Sequence, residues 1–299
     1  MTVVLRSIAL FWAVSACGTE GQLLYRNQLP DAGPLDAGPL DAGPPDPGPL
    51  DAGPPDPGPR DASTPPFRTS VRTNMSLQYQ ITGTIDPQVN AQVFVVDLFD
   101  TDSAEVTQLH AAGRIVIGYV SVGTLESWRS DASKFPKAGV GKAHDNYPNE
   151  AWLDVRNAEV RDLMRARLQR AVDRKFDGVF ASTFGAYRQT SGFPLTRADE
   201  LDYHTFLTDT AHALGLTIGL SGDFELSDVL ANDYDWAIAN NCFARDTCGE
   251  LAPLTARGLP VFDLETGGDR TSICERAKTL GITVSFKEAN SSAARSTCP

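Results

Sequence analysis

"AHALGLTIGLSGD", residues 211–223, decides the fold, because it runs from one periodicity into another. Ala211 and Leu214 lie at the end of a helical pattern that Thr196 opens, with Asp199 three residues later in a capping arrangement. Gly215 stops the helix, since the left-handed turn that ends a helix favours glycine. Leu216–Ser221 is then an apolar run of strand length. Helix, glycine, buried strand is one step of an α/β protein, and the chain repeats it. Further apolar runs stand at 93–97 (VFVVD), 115–121 (IVIGYVS), 152–154 (WLD), 178–182 (GVFAS), 236–240 (WAIAN), 260–265 (PVFDLE) and 282–287 (ITVSFK). Their hydrophobicity is continuous rather than alternating, as in strands buried on both faces.

Helical stripes fill the gaps. Val160, Leu163, Met164, Leu168, Ala171 and Val172 share one face. Ile273, Ala277 and Leu280 form another stripe, closed by Gly281. Strand–helix alternation over residues 70–299 predicts a (β/α)8 TIM barrel. An open doubly wound sheet is the alternative, but no Gly-x-Gly-x-x-Gly turn follows the first strand.

The barrel is preceded by a different kind of sequence. Residues 1–16 read as a signal peptide: Arg6 supplies the positive charge, and Ser7–Val14 is apolar but too short to span a bilayer. Val14-Ser15-Ala16-Cys17 resembles a bacterial lipobox, so Cys17 is the expected lipidation site. Gly18 after it points to the outer membrane or cell surface, under the usual bacterial sorting rule. Residues 17–69 form a Pro/Gly/Asp-rich tether in which Asp recurs every five residues from Asp31 to Asp61. With nothing large and apolar to bury, it is expected to be disordered. At about 3 Å per residue, 31–61 could hold a body on the order of 90 Å from a lipid surface.

The net charge of −12 argues against nucleic acid, which needs clustered Lys and Arg. Part of it belongs to the tether, because residues 62–299 hold 30 acids and 23 bases. Four cysteines remain after Cys17: Cys242, Cys248, Cys274 and Cys298. In an exported chain they read as two disulfides with three possible pairings, and proximity favours Cys242–Cys248 and Cys274–Cys298. No Cys-x-x-Cys, His-x-x-x-His or carboxylate cluster suggests a metal, no Gly-x-Ser-x-Gly setting suggests a serine hydrolase, and no cofactor is expected.

The segments 77–86 (LQYQITGTID), 95–101 (VVDLFDT), 116–131 (VIGYVSVGTLESWRSD), 149–168, 211–223, 240–248 (NNCFARDTC) and 260–268 (PVFDLETGG) occur in order. Together they resemble glycoside hydrolase family 114, barrel enzymes associated with cleaving α-1,4-linked polygalactosamine. The resemblance covers about residues 76–298. It breaks where that chemistry would sit. Family members carry a stretch like D-G-V-E-P-D-N-x-D-G-Y; here Asp177-Gly178-Val179 is followed by Phe180 for Glu, Ala181 for Pro, Ser182 for Asp, Thr183 for Asn and Gly185 for the second Asp. Tyr187 restores the match. The motif N-E-Q-C-F becomes Asn240 in place of Glu, and G-L-K-N becomes Gly219-Leu220-Ser221-Gly222.

Glycoside cleavage needs one protonated carboxyl and one carboxylate. The resemblance places that pair at Ser182 and Asn240, and neither side chain can do the work of an acid; losing acid–base assistance alone typically costs about 10²–10⁴-fold. The expectation is a catalytically impaired, lipid-anchored envelope protein that binds a carbohydrate polymer, an amino-sugar polysaccharide. One alternative is an active endo-glycosidase using displaced acids: Asp97 and Glu265 at strand ends, or Glu126 and Asp223 in loops. Another is a structural envelope protein. Tyr119, Ser121, Glu126, Arg129, Tyr187 and Phe243 are the candidate ligand-binding residues, with a simple Glu126–Arg129 brace as the plain alternative for that pair.

Overall fold

The structure, a computed structural model, describes residues 71–287 and 295–298. The expected leader (1–16), Cys17 and the tether (17–69) lie outside the described residues. In chain order the first strands are β1 (Leu77–Gln80), β2 (Val93–Asp97), β3 (Ile115–Ser121), β4 (Thr124–Glu126), β5 (Val140–His144) and β6 (Tyr147–Leu153). They are followed by β7 (Gly178–Ser182), β8 (Thr217–Leu220), β9 (Trp236–Asn240), β10 (Val261–Glu265), β11 (Ile282–Phe286) and β12 (Ser296–Thr297).

Eight of these strands, in the order β1-β2-β3-β7-β8-β9-β10-β11, pair parallel. β11 reaches back to β1, where the Ser285 hydroxyl donates to the Leu77 carbonyl at 3.2 Å. Strand parity separates two cores. Leu77, Tyr79, Val95, Ile117, Phe180, Trp236, Ile238, Phe262 and Leu264 cluster together, as inward-facing positions of a barrel do. Their chain neighbours, among them Phe94, Val96, Val116, Val179 and Ala237, pack with the helices instead. Gly219 leaves room for the Trp236 ring, which a Cβ there would strike.

The helices are α1 (Ser103–Ala111), α2 (Ala158–Asp173), α3 (Arg197–Ala213), α4 (Ser227–Leu230), α5 (Ala252–Ala256) and α6 (Arg270–Leu280). Their ends follow from local chemistry. Thr196 and Asp199 form the expected capping box of α3, and Gly281 adopts φ +69° at the end of α6. On α2 the apolar stripe is buried at Val160, Met164, Leu168 and Ala171. One brace occurs twice: Asp177 accepts from the Val116 amide (2.8 Å) and pairs with His110, while Asp235 accepts from the Ile218 amide (2.8 Å) and pairs with His212. Each ties the entrance of one strand to its neighbour and to a helix end. No helix among the described residues is long and apolar enough to cross a membrane.

The TIM-barrel expectation holds, with one strand reassigned. Residues 152–154 were expected to be a barrel strand, but Trp152 and Leu153 end β6, in a separate antiparallel sheet ordered β4-β6-β5. The missing barrel strand is β1, whose Leu-Gln-Tyr-Gln breaks any apolar run. Its glutamines are nonetheless buried: Gln80 Nε2 donates to the Thr84 carbonyl (2.8 Å), and Lys287 Nζ donates to Gln78 Oε1 (3.3 Å). A buried polar side chain is tolerated once it is hydrogen-bonded, so polarity alone did not exclude a buried strand.

Candidate functional site

A cleft of about 560 Å³ opens over the C-terminal ends of β1, β2, β3, β7 and β9. This is the face on which barrel strand ends converge. Tyr79, Tyr119 and Phe180 meet beneath it, with ring centroids 6.1–6.4 Å apart. Phe180 is only 1% exposed and stacks on Trp236, so the position where the family pattern carries Glu is an apolar plug in the barrel axis. Two residues further along the inward-facing row, Ser182 reaches the cleft, as Asn240 does two residues after Ile238. The structure therefore brings Ser182 and Asn240 to one cavity.

Both positions are followed by unusual backbone. Thr183 has φ +67° and Asn241 φ +55°. Asn visits the left-handed region readily, whereas a β-branched residue does so at a cost of about 1–3 kcal/mol. Thr183 is held there from the other side: the Val122 amide donates to the Ser182 carbonyl at 2.9 Å, and a Cβ on Gly123 would collide with the Thr183 carbonyl.

Four acids line the cleft: Asp97, Asp100, Glu126 and Glu150. Arg129 donates to both oxygens of Asp97 (2.8 and 2.7 Å) and to both oxygens of Glu126 (2.7 and 3.1 Å). All three side chains are buried, and burial raises the Glu126 carboxyl above its ordinary value despite the arginine. Asp100 is largely exposed, with Arg129 at 3.8 Å. Glu150 is half-buried on β6, accepts from the Thr124 hydroxyl at 2.5 Å, and is likewise raised by burial. A buried arginine between two carboxylates fixes their geometry and holds both as its counter-ions.

Trp128 and Tyr147 form the open side. Each is 55% exposed, and both belong to the cleft lining. The antiparallel sheet puts them there: β4 leads into Trp128, and β6 begins at Tyr147. His144 stands 4.7 Å from the Tyr147 ring and stacks at 4.6 Å on Trp152, bracing the platform from behind.

The other expected site residues lie elsewhere. Ser121 is buried and pairs with the Thr124 hydroxyl at 2.7 Å, so it supports the residue that holds Glu150. The Tyr187 hydroxyl donates to Glu225, and Phe243 is buried. Glu265 faces outward, consistent with the inward parity of Phe262 and Leu264, and accepts from the amides of Phe243 (2.9 Å) and Ala244 (3.3 Å). Asp263 accepts from the Cys242 amide at 3.2 Å. Asp263 Oδ2 and Glu265 Oε2 are buried without a hydrogen-bond partner, and burial, with Glu265 beside it, pushes Asp263 up to about 8. This pair holds the loop that Cys242–Cys248 closes, while Cys274–Cys298 joins α6 to the residue after β12. Both pairings are those that proximity favours.

Asp223 sits in a second cluster, with φ +50°. Its carboxylate meets His204 Nε2 at 3.2 Å and is capped by Arg188. His204 Nδ1 lies 2.7 Å from the Tyr234 hydroxyl, and its ring stacks on Phe184. Glu200 Oε1 accepts from the Gly185 amide at 3.0 Å, and burial together with Asp223 raises its carboxyl well above the ordinary range.

The residues that spacing missed are Trp128, Tyr147 and Glu150. Tyr147 and Glu150 carry the signal of the hairpin between β5 and β6, whose residues are exposed in a chain otherwise built of buried strands, while Trp128 follows the short strand β4 that pairs with it.

The comparisons with known proteins agree with this architecture. Aspergillus fumigatus Ega3, solved in complex with galactosamine, superposes with a TM-score of 0.73 at 27% identity, over 79% of this chain and 100% of that one. The glycoside hydrolase domain of PelA from Pseudomonas aeruginosa shares the fold, with a TM-score of 0.57 at 15% identity, over 73% of this chain and 96% of that one. An uncharacterized protein of Deinococcus radiodurans is 30% identical over 135 residues, 40% of this chain; the match spans 44% of that relative's length. The model of glycoside-hydrolase family GH114 matches residues 58–299, and the chain belongs to that family.

Proposed function

We propose that this protein is a non-hydrolytic binder of an amino-sugar polysaccharide, displayed at the bacterial cell surface by a lipid on Cys17 and the tether 17–69. The observation that carries the reading is the state of the cleft's acids. Ser182 and Asn240 occupy the positions that the family motif gives to acids, while Asp97 and Glu126 are both tied to Arg129. Glycosidic cleavage needs a protonated carboxyl and a free carboxylate on opposite sides of the bond. Binding needs neither.

The cleft also offers surface suited to binding. Trp128 and Tyr147 present aromatic faces to the cleft, the kind of surface on which a sugar ring stacks. The lining carries four carboxylates against Arg129 and Arg245. That excess suits the ammonium groups of a de-N-acetylated polymer, and Ega3 with its galactosamine supports the same ligand class.

A second reading, an active endo-glycosidase, rests on Glu150. Its raised pKa and its place in the cleft are what a general acid requires. Binding to partially deacetylated poly-N-acetylgalactosamine, measured beside release of reducing ends, separates the two. Binding without release supports the first; release that Glu150→Gln abolishes supports the second. Neither outcome supports a purely structural envelope protein. Mass spectrometry of the mature N-terminus tests the anchor: a diacylglyceryl Cys17 is expected, and an unmodified cysteine or a cleavage elsewhere contradicts it.

A further inference from the structure

We propose that Glu200, His204 and Asp223 bind one divalent transition cation of the zinc type. Glu200 and His204 are four residues apart on α3, so they project from one face of the helix. Asp223, in the turn after β8, faces them. One donor atom from each residue lies within 4.8 Å of the others, and all three side chains are buried. Two carboxylates and an imidazole form a donor set for zinc, manganese or iron(II) rather than calcium or magnesium.

Three further observations point to a ligand. Glu200 Oε2 is buried and has no hydrogen-bond partner, although Oε1 is held by the Gly185 amide. An unpartnered carboxylate oxygen away from water is costly, and a cation is the partner that removes the cost. Next, Tyr234 stands at 2.7 Å from His204 Nδ1. Without an ion, Nε2–H donates to Asp223; in the tautomer that donates Nδ1–H to the Tyr234 hydroxyl, Nε2 is released to ligate an ion, with Tyr234 as the outer-sphere partner of a metal-binding histidine. Finally, Asp223 adopts the left-handed backbone (φ +50°) that brings its carboxylate to 3.2 Å from Nε2, a separation that fits two ligands on one ion.

The widest separation, up to 4.8 Å, exceeds the about 4.2 Å that two bonds of about 2.1 Å allow. Loading therefore draws the carboxylates inward. Arg188, half-exposed and paired with both Asp223 and Glu225, is the lid on the solvent side and swings out as the ion enters. Gly185 and Asp223 stand just beyond β7 and β8, so the ion would stiffen the turns after two barrel strands.

The full chain, stripped with chelator, is titrated with ZnCl₂ by calorimetry, with metal content read by mass spectrometry and folding by circular dichroism. One equivalent of zinc and a higher melting temperature are expected, and Co²⁺ should give a visible absorption band. Glu200→Gln keeps the size and the Gly185 hydrogen bond but should weaken binding by at least about 100-fold, as should His204→Asn; Tyr234→Phe should cost about 10-fold. If His204→Asn does not fold, Glu200→Gln decides. Stoichiometric binding that Glu200→Gln leaves unchanged, or no stoichiometric uptake by the unaltered chain, overturns the proposal.

Discussion

Arg129 grips both ends of the Asp97 carboxylate, Nη1 to Oδ1 at 2.8 Å and Nη2 to Oδ2 at 2.7 Å, and the same guanidinium reaches Glu126. With its side chain only 4% exposed, it packs on the Phe99 ring at 4.9 Å. Replacing it would leave two buried carboxylates without a cation. Arg129→Met is expected to destabilise the fold by about 3–5 kcal/mol in denaturant unfolding. Arg129→Lys should recover only part of this, because an ammonium cannot match the fork. A loss below about 1 kcal/mol would show that the cluster is wet and weakly coupled.

Trp128 and Tyr147 are exposed, so truncating them should leave stability within about 0.5 kcal/mol. Trp128→Ala and Tyr147→Ala should each weaken binding of galactosaminan oligosaccharides by roughly 2- to 12-fold, the equivalent of about 0.5–1.5 kcal/mol of stacking. Unchanged affinity in both variants would place the sugar elsewhere.

Much of the barrel was legible because its inner and outer walls are both apolar, and the runs at 93–97, 115–121 and 178–182 name their strands directly. β1 was not, since Gln78 and Gln80 are buried through hydrogen bonds that depend on Thr84 and Lys287, distant in sequence or in a turn. Tyr119, Glu126 and Arg129 could be placed from their position after a strand. Strand parity could also have set Glu265 apart, because Phe262 and Leu264 occupy the inward row. Trp128, Tyr147 and Glu150 depend on the small sheet folding back over the barrel, which no local periodicity announces. Glu200 and His204 share a visible helical spacing, but Asp223 joins them only through the turn after β8.

Thr183 carries the least suitable side chain for its backbone, with φ +67° at a β-branched residue. Thr183→Asn is expected to raise stability by about 1 kcal/mol, read as a shift in the unfolding midpoint at constant slope. Destabilisation would mean that the threonine side chain makes a contact worth more than the strain.

The raised Asp263 carboxyl makes stability depend on pH. Asp263 is pushed up to about 8 in the folded chain, against about 4 when unfolded, so the folded state holds an extra proton between those values. Its contribution is complete below about pH 4 and declines as pH rises toward about 8. Asp263→Asn keeps an oxygen for the Cys242 amide and carries no ionisable group. It should flatten this decline and make the variant roughly 1–3 kcal/mol more stable than the parent at pH 9. Parallel pH profiles for parent and variant would contradict the raised Asp263 carboxyl.

The central claim is that the cleft holds amino-sugar polymer without cutting it. The most direct measurement incubates purified chain with partially deacetylated poly-N-acetylgalactosamine and counts new reducing ends against binding in the same sample. The account predicts saturable binding with reducing ends at the level of a protein-free control. Turnover that Glu150→Gln eliminates, in a variant that still folds and binds, would contradict it.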